Sequence, residues 1–280
     1  QLTKYVKTYS STPGKLSGGQ AEVLLRLAQI ELHRRHPDFA QIDRWLLRLI
    51  ASADIQMKNE SQNNFVLATW KTMKRNATPL RILSLAGQKK YDDAKQLVEQ
   101  LAQRETAEVL DLLNRLAQVA ASFDKATRIQ IGQLQLQAAK ELYYRPKKLS
   151  ATQQQQVERA LAEAYVATNH FTQAREFYLG LIKTSPKNRK TLKQFALLSQ
   201  QCGTKECLND AKNTWRKLGL LEKPGTVTWL QARYHLAECY LLLGETKECR
   251  KLLTITKILY PQLGNKELRQ KFIALQKKVK

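Results

Sequence analysis

"LAEAYVATNHFTQAREFYLGLIKTSP", Leu161–Pro186, is written a second time at the same length as "LAECYLLLGETKECRKLLTITKILYP", Leu236–Pro261. Six of the 26 positions are identical (Leu, Ala, Glu, Tyr, Arg and the closing Pro), and no gap is needed to align them. Two more positions hold a small residue in both copies, Ala164 against Cys239 and Ala174 against Cys249. Leu161, Ala162 and Tyr165 share one face of a first helix, while Ala174, Tyr178 and Leu181 recur at i, i+4 and i+7 on a second. Ala162 and Ala174 are small where the two helices approach, so the axes can come close. Asn169 stands at the turn between them, where a left-handed backbone is needed, and Gly244 stands there in the other copy. Pro186 and Pro261 end the second helix. A hairpin of this kind cannot bury its apolar side alone and must stack on its like.

The rest of the chain is consistent with that reading. Good helix formers (Leu, Ala, Lys, Gln, Glu, Arg) dominate, and Val, Ile and Thr are too scattered for regular strands. The last four of the 7 prolines, Pro146, Pro186, Pro224 and Pro261, lie 40, 38 and 37 residues apart. Proline is excluded from helix interiors, so this spacing suits successive helix pairs. The expected class is all-α, with about a dozen helices in stacked antiparallel pairs. Residues 1–19 read as an arm or linker, 20–149 as degenerate helical repeats, 150–264 as clean repeats and 265–280 as a capping helix, with 20–280 one continuous solenoid. Pro79 is read as a break between two N-terminal helices.

The two clean copies resemble the tetratricopeptide repeat, whose 34-residue pattern is W-x2-L-G-x2-Y, A-x3-F, P. Leu161-Ala162-x2-Tyr165, Ala174-x3-Tyr178 and Pro186 match it in register, with Ala in place of Gly. Leu236-Ala237-x2-Tyr240, Cys249-x3-Leu253 and Pro261 match it again, and Tyr91-x2-Ala94-x3-Val98 matches in part. Glu158 and Arg233 replace the Trp, though Trp229 can reach the same face. The intervening unit fits with about three extra residues, aligning Ala196 with Ala211, Trp215 and Pro224. The resemblance implies a right-handed superhelix whose first helices line a concave groove for a peptide or protein. That groove would present Gln156, Arg159 and Glu163 from one repeat, Lys190, Lys193 and Gln200 from the next, and Gln231, Tyr234 and Glu238 from the third. The subtype that grips a terminal carboxylate with Lys and Asn is disfavoured, because Glu163 and Glu238 stand where that Asn would.

The formal net charge is +23, spread as +3 over residues 1–60, +7 over 61–150 and +13 over 151–280. Lys187, Arg189, Lys190 and Lys193 form the densest basic stretch and are a candidate polyanion patch. Signatures of nucleic-acid modules are absent from the sequence, and its aromatics sit at packing positions. Phosphate-loop, dinucleotide and zinc-hydrolase motifs are likewise absent, and no cofactor or metal is expected. His33 and His36 are one turn apart but lack a third ligand. Cys202 and Cys207 flank a turn, and Cys239 and Cys249 occupy small-residue positions. A disulfide across either pair stays open, and buried reduced thiols are the favoured reading. No run is apolar enough for a membrane span. The chain opens on Gln1, which reads as a processed or excerpted sequence, so a missing leader says nothing of location. The expectation is a non-enzymatic scaffold for protein–protein contacts within a longer chain. The alternative is a basic repeat protein binding nucleic acid or another polyanion, and a third reading is an accessory domain to an attached enzyme or transport system.

Overall fold

The computed structural model describes residues 16–58, 63–120, 123–146 and 149–279. Most of the sequence-defined arm therefore lies outside the described residues. Its last four residues do not behave as a linker: Leu16 is buried, Ser17 caps the first helix, and Gly18 and Gly19 begin it.

Thirteen helices are present among the described residues, and no strand. In chain order they are α1 (Gly18–Leu32), α2 (Phe39–Met57), α3 (Asn64–Gly87), α4 (Tyr91–Ala102), α5 (Thr106–Ala120), α6 (Lys125–Tyr143) and α7 (Ala151–Ala167). Then follow α8 (Phe171–Thr184), α9 (Arg189–Cys202), α10 (Lys205–Leu221), α11 (Val227–Leu242), α12 (Thr246–Leu259) and α13 (Lys266–Lys278). The backbone divides into two compact units, residues 1–168 and 169–280. Within each, successive helices joined by short turns pack antiparallel, and many also touch the helix after next, as α4 touches α6 and α11 touches α13. The fold is all-α, built of antiparallel helix pairs stacked in order within each unit.

Two kinds of helix start occur. Nine helices begin with a side-chain cap, in which Ser17, Asp38, Asn63, Asp124, Ser150, Asn188, Thr204, Thr226 or Asn265 accepts a backbone N–H of the first turn. The helices α4, α8 and α12 have no such cap. Each instead follows a residue in the left-handed region: Lys89 (φ 62°), Asn169 (φ 61°) and Gly244 (φ 76°). The expected geometry at Asn169 and Gly244 is thus present, and Lys89 adds a third turn that the partial match at Tyr91 only hinted at. Lys89 and Gly244 close their turns alike: the next residue's N–H reaches back to Leu85 O (2.9 Å) and Tyr240 O (2.8 Å).

Pro79 is not a break. It lies buried inside the 24-residue helix α3, and the chain turns at residues 88–90 instead. Proline removes one intrahelical hydrogen bond and crowds the preceding turn, a cost of about 3 kcal/mol. Burial of Trp70 and, on all sides of the C-terminal half of α3, of Ala77, Leu80, Ile82, Leu83, Leu85 and Ala86 offsets that loss.

The small positions of the repeat pattern and the second aromatic position are core positions, while Tyr165 and Tyr240 at the first aromatic position, and Tyr91 ahead of Ala94, are half-buried. Ala94, Val98, Ala162, Ala174, Tyr178, Ala237, Cys249 and Leu253 are all buried. In the second unit one cluster joins Leu192, Ala196, Ala211, Trp215, Leu218, Ala232, Leu236 and Cys239, so the alignment with three extra residues finds the true packing positions. A second cluster joins Trp229, Leu230, Ala237, Cys249, Leu253, Leu263, Leu268 and Phe272. Arg233, in place of the family's Trp, lies over the Trp229 ring at 4.7 Å and donates to Thr256 Oγ1 at 2.8 Å. Cys202 and Cys207 are joined as a disulfide that spans the α9–α10 turn, so that pair departs from the reduced-thiol reading. Cys239 and Cys249 are free and buried, and burial pushes both thiols up, Cys239 to about 12.

Candidate functional site

The second unit carries a cleft between α9, α11 and α13, lined by Lys193, Leu197, Gln231, Tyr234, His235, Asn265, Glu267, Leu268 and Lys271. Three of the groove residues expected from sequence, Lys193, Gln231 and Tyr234, meet here. The helix positions explain why: Lys193 and Leu197 are one turn apart on α9, and Gln231, Tyr234 and His235 recur at i, i+3 and i+4 on α11. Asn265 caps α13 through Leu268 N–H (2.9 Å), fixing the third wall.

Behind the cleft lies a hydrogen-bonded cluster. Glu238 accepts from Tyr234 Oη (3.2 Å) and from Gln200 Nε2 (3.0 Å), and His235 Nδ1 lies 3.2 Å from it. Gln200 Oε1 accepts from Trp215 Nε1 (2.9 Å), so one chain of bonds ties α9, α10 and α11 together. The hydrogen bond from His235, aided by its charge and by the Tyr234 and Gln200 bonds, holds the Glu238 carboxyl below its usual range against the opposing effect of burial. Burial, with Glu238 adding to it, pushes the Tyr234 phenol up to about 12. The His235 ring stacks on Trp215 with centroids 4.5 Å apart, and Tyr234 meets Phe272 edge-on at 5.5 Å. Gln200 and Glu238, expected as groove contacts, therefore serve each other. Their bonds hold Tyr234 and His235 at the cleft.

His235 was missed by sequence reasoning. The signal available was its place one residue after Tyr234 and three before Glu238, on the face that α11 turns toward α9 and α13. Gln156, Arg159 and Glu163 lie on α7 in the other unit, where Arg159 Nε is buried without a hydrogen-bond partner. Lys190 and Lys193 are exposed on α9. Of the basic stretch, Lys187 is exposed, whereas Arg189 is engaged within the unit: it pairs with Glu222 (3.0 Å) and donates to Leu221 O (2.7 Å) at the end of α10. Arg145 caps α4 in the same manner through Arg104 O (2.8 Å). His33 Nδ1 is 2.7 Å from Gln29 O, and no group of three metal-ligating side chains occurs among the described residues. None of the described helices is long and apolar enough to cross a membrane.

No family model matches the chain, and no curated protein matches it. Solved structures similar to it include the C-terminal part of a TPR repeat-containing protein from Cytophaga hutchinsonii, at 15% identity, covering 97% of this chain and 99% of that one, TM-score 0.45. A tetratricopeptide repeat protein from Parabacteroides merdae is similar at 12% identity, covering 92% of this chain and 99% of that one, TM-score 0.34. The apo form of the quorum sensor NprR from B. thuringiensis is similar at 15% identity, covering 98% of this chain and 81% of that one, TM-score 0.38. The fold stands on the helix pairing described above, not on these scores.

Proposed function

We propose that the chain is a non-enzymatic helical-repeat scaffold that receives a peptide segment of a protein partner in the cleft of its second unit. The observation that carries this reading is the cleft's size and lining. It holds about 180 Å³, below the roughly 300–1,000 Å³ of small-molecule pockets and suited to one or two side chains. Leu197, Leu268 and the Tyr234 ring supply an apolar floor, and Gln231, Asn265 and Lys193 supply donors at the rim for peptide groups. The stacking of His235 on Trp215 favours a packed recognition wall over a free catalytic base. For the second unit the nucleic-acid alternative is less well supported, because the aromatic side chains of residues 169–279 are buried or half-buried, whereas Phe65 and Tyr144 of the first unit stand exposed.

A displayed library of random peptides, selected on the immobilised chain, tests the reading. Enriched peptides should bind the chain in solution by calorimetry, and Leu197→Asp and Tyr234→Ala should each weaken them roughly tenfold or more. Enriched peptides indifferent to both changes would place recognition elsewhere and sink it.

A further inference from the structure

The opposite kind of surface, basic and aliphatic, occurs on a rim of the same unit. There the start of α9, the end of α10, the start of α11 and the end of α12 converge. Arg189 on α9 holds Leu221 O and Glu222 at the end of α10, and Glu222 accepts from Thr228 Oγ1 on α11 (3.0 Å). Tyr260, just past α12, lies against Gly225, where an added Cβ would come within 2.6 Å of its ring. It also meets Trp229 edge-on with centroids 5.0 Å apart. These joints engage polar and aromatic groups with one another and leave large aliphatic side chains without such partners. Leu220 is 83% exposed, Ile258 70% and Leu259 61%.

Four lysines belong to the same helix ends: Lys187 and Lys190 flank Arg189 in sequence, Lys223 follows Glu222, and Lys257 precedes Ile258. All four are exposed, and no ion pair among the described residues takes any of them. The acid at these joints, Glu222, is held by Arg189 and Thr228. Of the unit's other acids, Glu206 and Asp210 at the start of α10 and Glu245 and Glu248 at the start of α12 lie at the far ends of the same helices, and Glu267, at the start of α13, is paired with Lys271 (2.6 Å). The rim therefore joins uncompensated positive charge to exposed hydrocarbon.

We propose that this rim docks the second unit on the surface of an anionic lipid bilayer, with the lysines at the headgroups and Leu220, Ile258 and Leu259 inserted at the headgroup–acyl boundary. Charge complementarity selects this occupant. Anionic headgroups attract lysines within a Debye length, and the layer beneath them takes aliphatic side chains that water disfavours. A phosphate backbone would use the lysines but gain nothing from Leu220, Ile258 and Leu259. A second copy of the rim would bring like charges together.

The test is flotation of the full chain with vesicles of phosphatidylcholine alone or with roughly 30% phosphatidylserine, at about 0.1 M salt. Binding is expected only to the anionic vesicles. The triple change Leu220→Ser, Ile258→Ser and Leu259→Ser should weaken it more than about tenfold with an unchanged melting temperature, since all three side chains are exposed. Lys187→Gln, Lys190→Gln, Lys223→Gln and Lys257→Gln together should weaken it at least as much and flatten its salt dependence. Absence of flotation with anionic vesicles overturns the proposal. Undiminished flotation of the aliphatic triple variant also overturns it, leaving charge adhesion alone. So does a wild-type dimer that the triple change makes monomeric, or single-stranded RNA bound more tightly than the vesicles through the same lysines.

Discussion

Lys89 holds a conformation that suits glycine, and the turns at Asn169 and Gly244 show how the same geometry is met with less strain. A left-handed L-residue costs roughly 1–2 kcal/mol, part of which glycine returns as unfolded-chain entropy. Lys89→Gly is therefore expected to stabilise the protein by about 0.5–1 kcal/mol in urea denaturation, and Gly244→Ala to destabilise it by about 1 kcal/mol. Glu238 makes the second residue-scale prediction. Its folded carboxyl titrates below the ordinary value, so the stability it adds is present above the ordinary carboxylate pKa and is lost as pH falls through the folded pKa. Glu238→Gln should cost about 1 kcal/mol at pH 7, allowing for the carboxylate's partial exposure, and the deficit should vanish in strongly acid solution. A deficit that persists unchanged there would mean the charge of Glu238 is not what its hydrogen bonds use. Lys89 and Glu238 also mark what sequence could show. Asn169 and Gly244 are residues that announce a left-handed turn, whereas Lys89 does not, and only the neighbouring turn geometry reveals it.

At the scale of elements, two helical glycines with opposite surroundings make a matched pair. Gly132 on α6 faces α7 so closely that an added Cβ would lie 2.7 Å from Ala167 Cβ. That neighbour is anchored to backbone and cannot swing away, so Gly132→Ala should destabilise by about 1–3 kcal/mol despite the better helix propensity of alanine. Gly180 on α8 has nothing within 4 Å of such an atom. Gly180→Ala should stabilise by about 0.5–1 kcal/mol, and thermal melts of the two variants read the contrast directly. Pro79 teaches the complementary lesson. Local rules place a helix break there, and the burial of α3 on both sides of the proline overrides them.

For the molecule as a whole the dominant quantity is the net charge of +23. Self-repulsion on that scale weakens a compact state, and salt screens it: the Debye length falls from about 30 Å at 0.01 M to about 8 Å at 0.15 M. The melting temperature is accordingly expected to rise by a few degrees over that range. A fall would mean that attractive ion pairs, such as Arg175 with Asp210 at 2.7 Å and Lys212 with Glu245 at 2.6 Å, outweigh the repulsion.

The sequence by itself determined the helical class, the helix pairs and most of their packing positions. Those properties are local or periodic: Ala162, Ala174, Ala196 and Ala211 are small because helices must approach, and a 3.6-residue period shows which side they occupy. Lys193, Gln231 and Tyr234 entered as candidate groove residues only through the resemblance to the tetratricopeptide repeat, which assigns the groove to the first helix of each pair. The three-way meeting of α9, α11 and α13, the bonds from Glu238 to Gln200, Tyr234 and His235, and the exposed Leu220, Ile258 and Leu259 beside unpaired lysines were decided only by tertiary structure. Each depends on which residues of separate helices are brought side by side, and a repeat pattern specifies the packed face while leaving the outward one free.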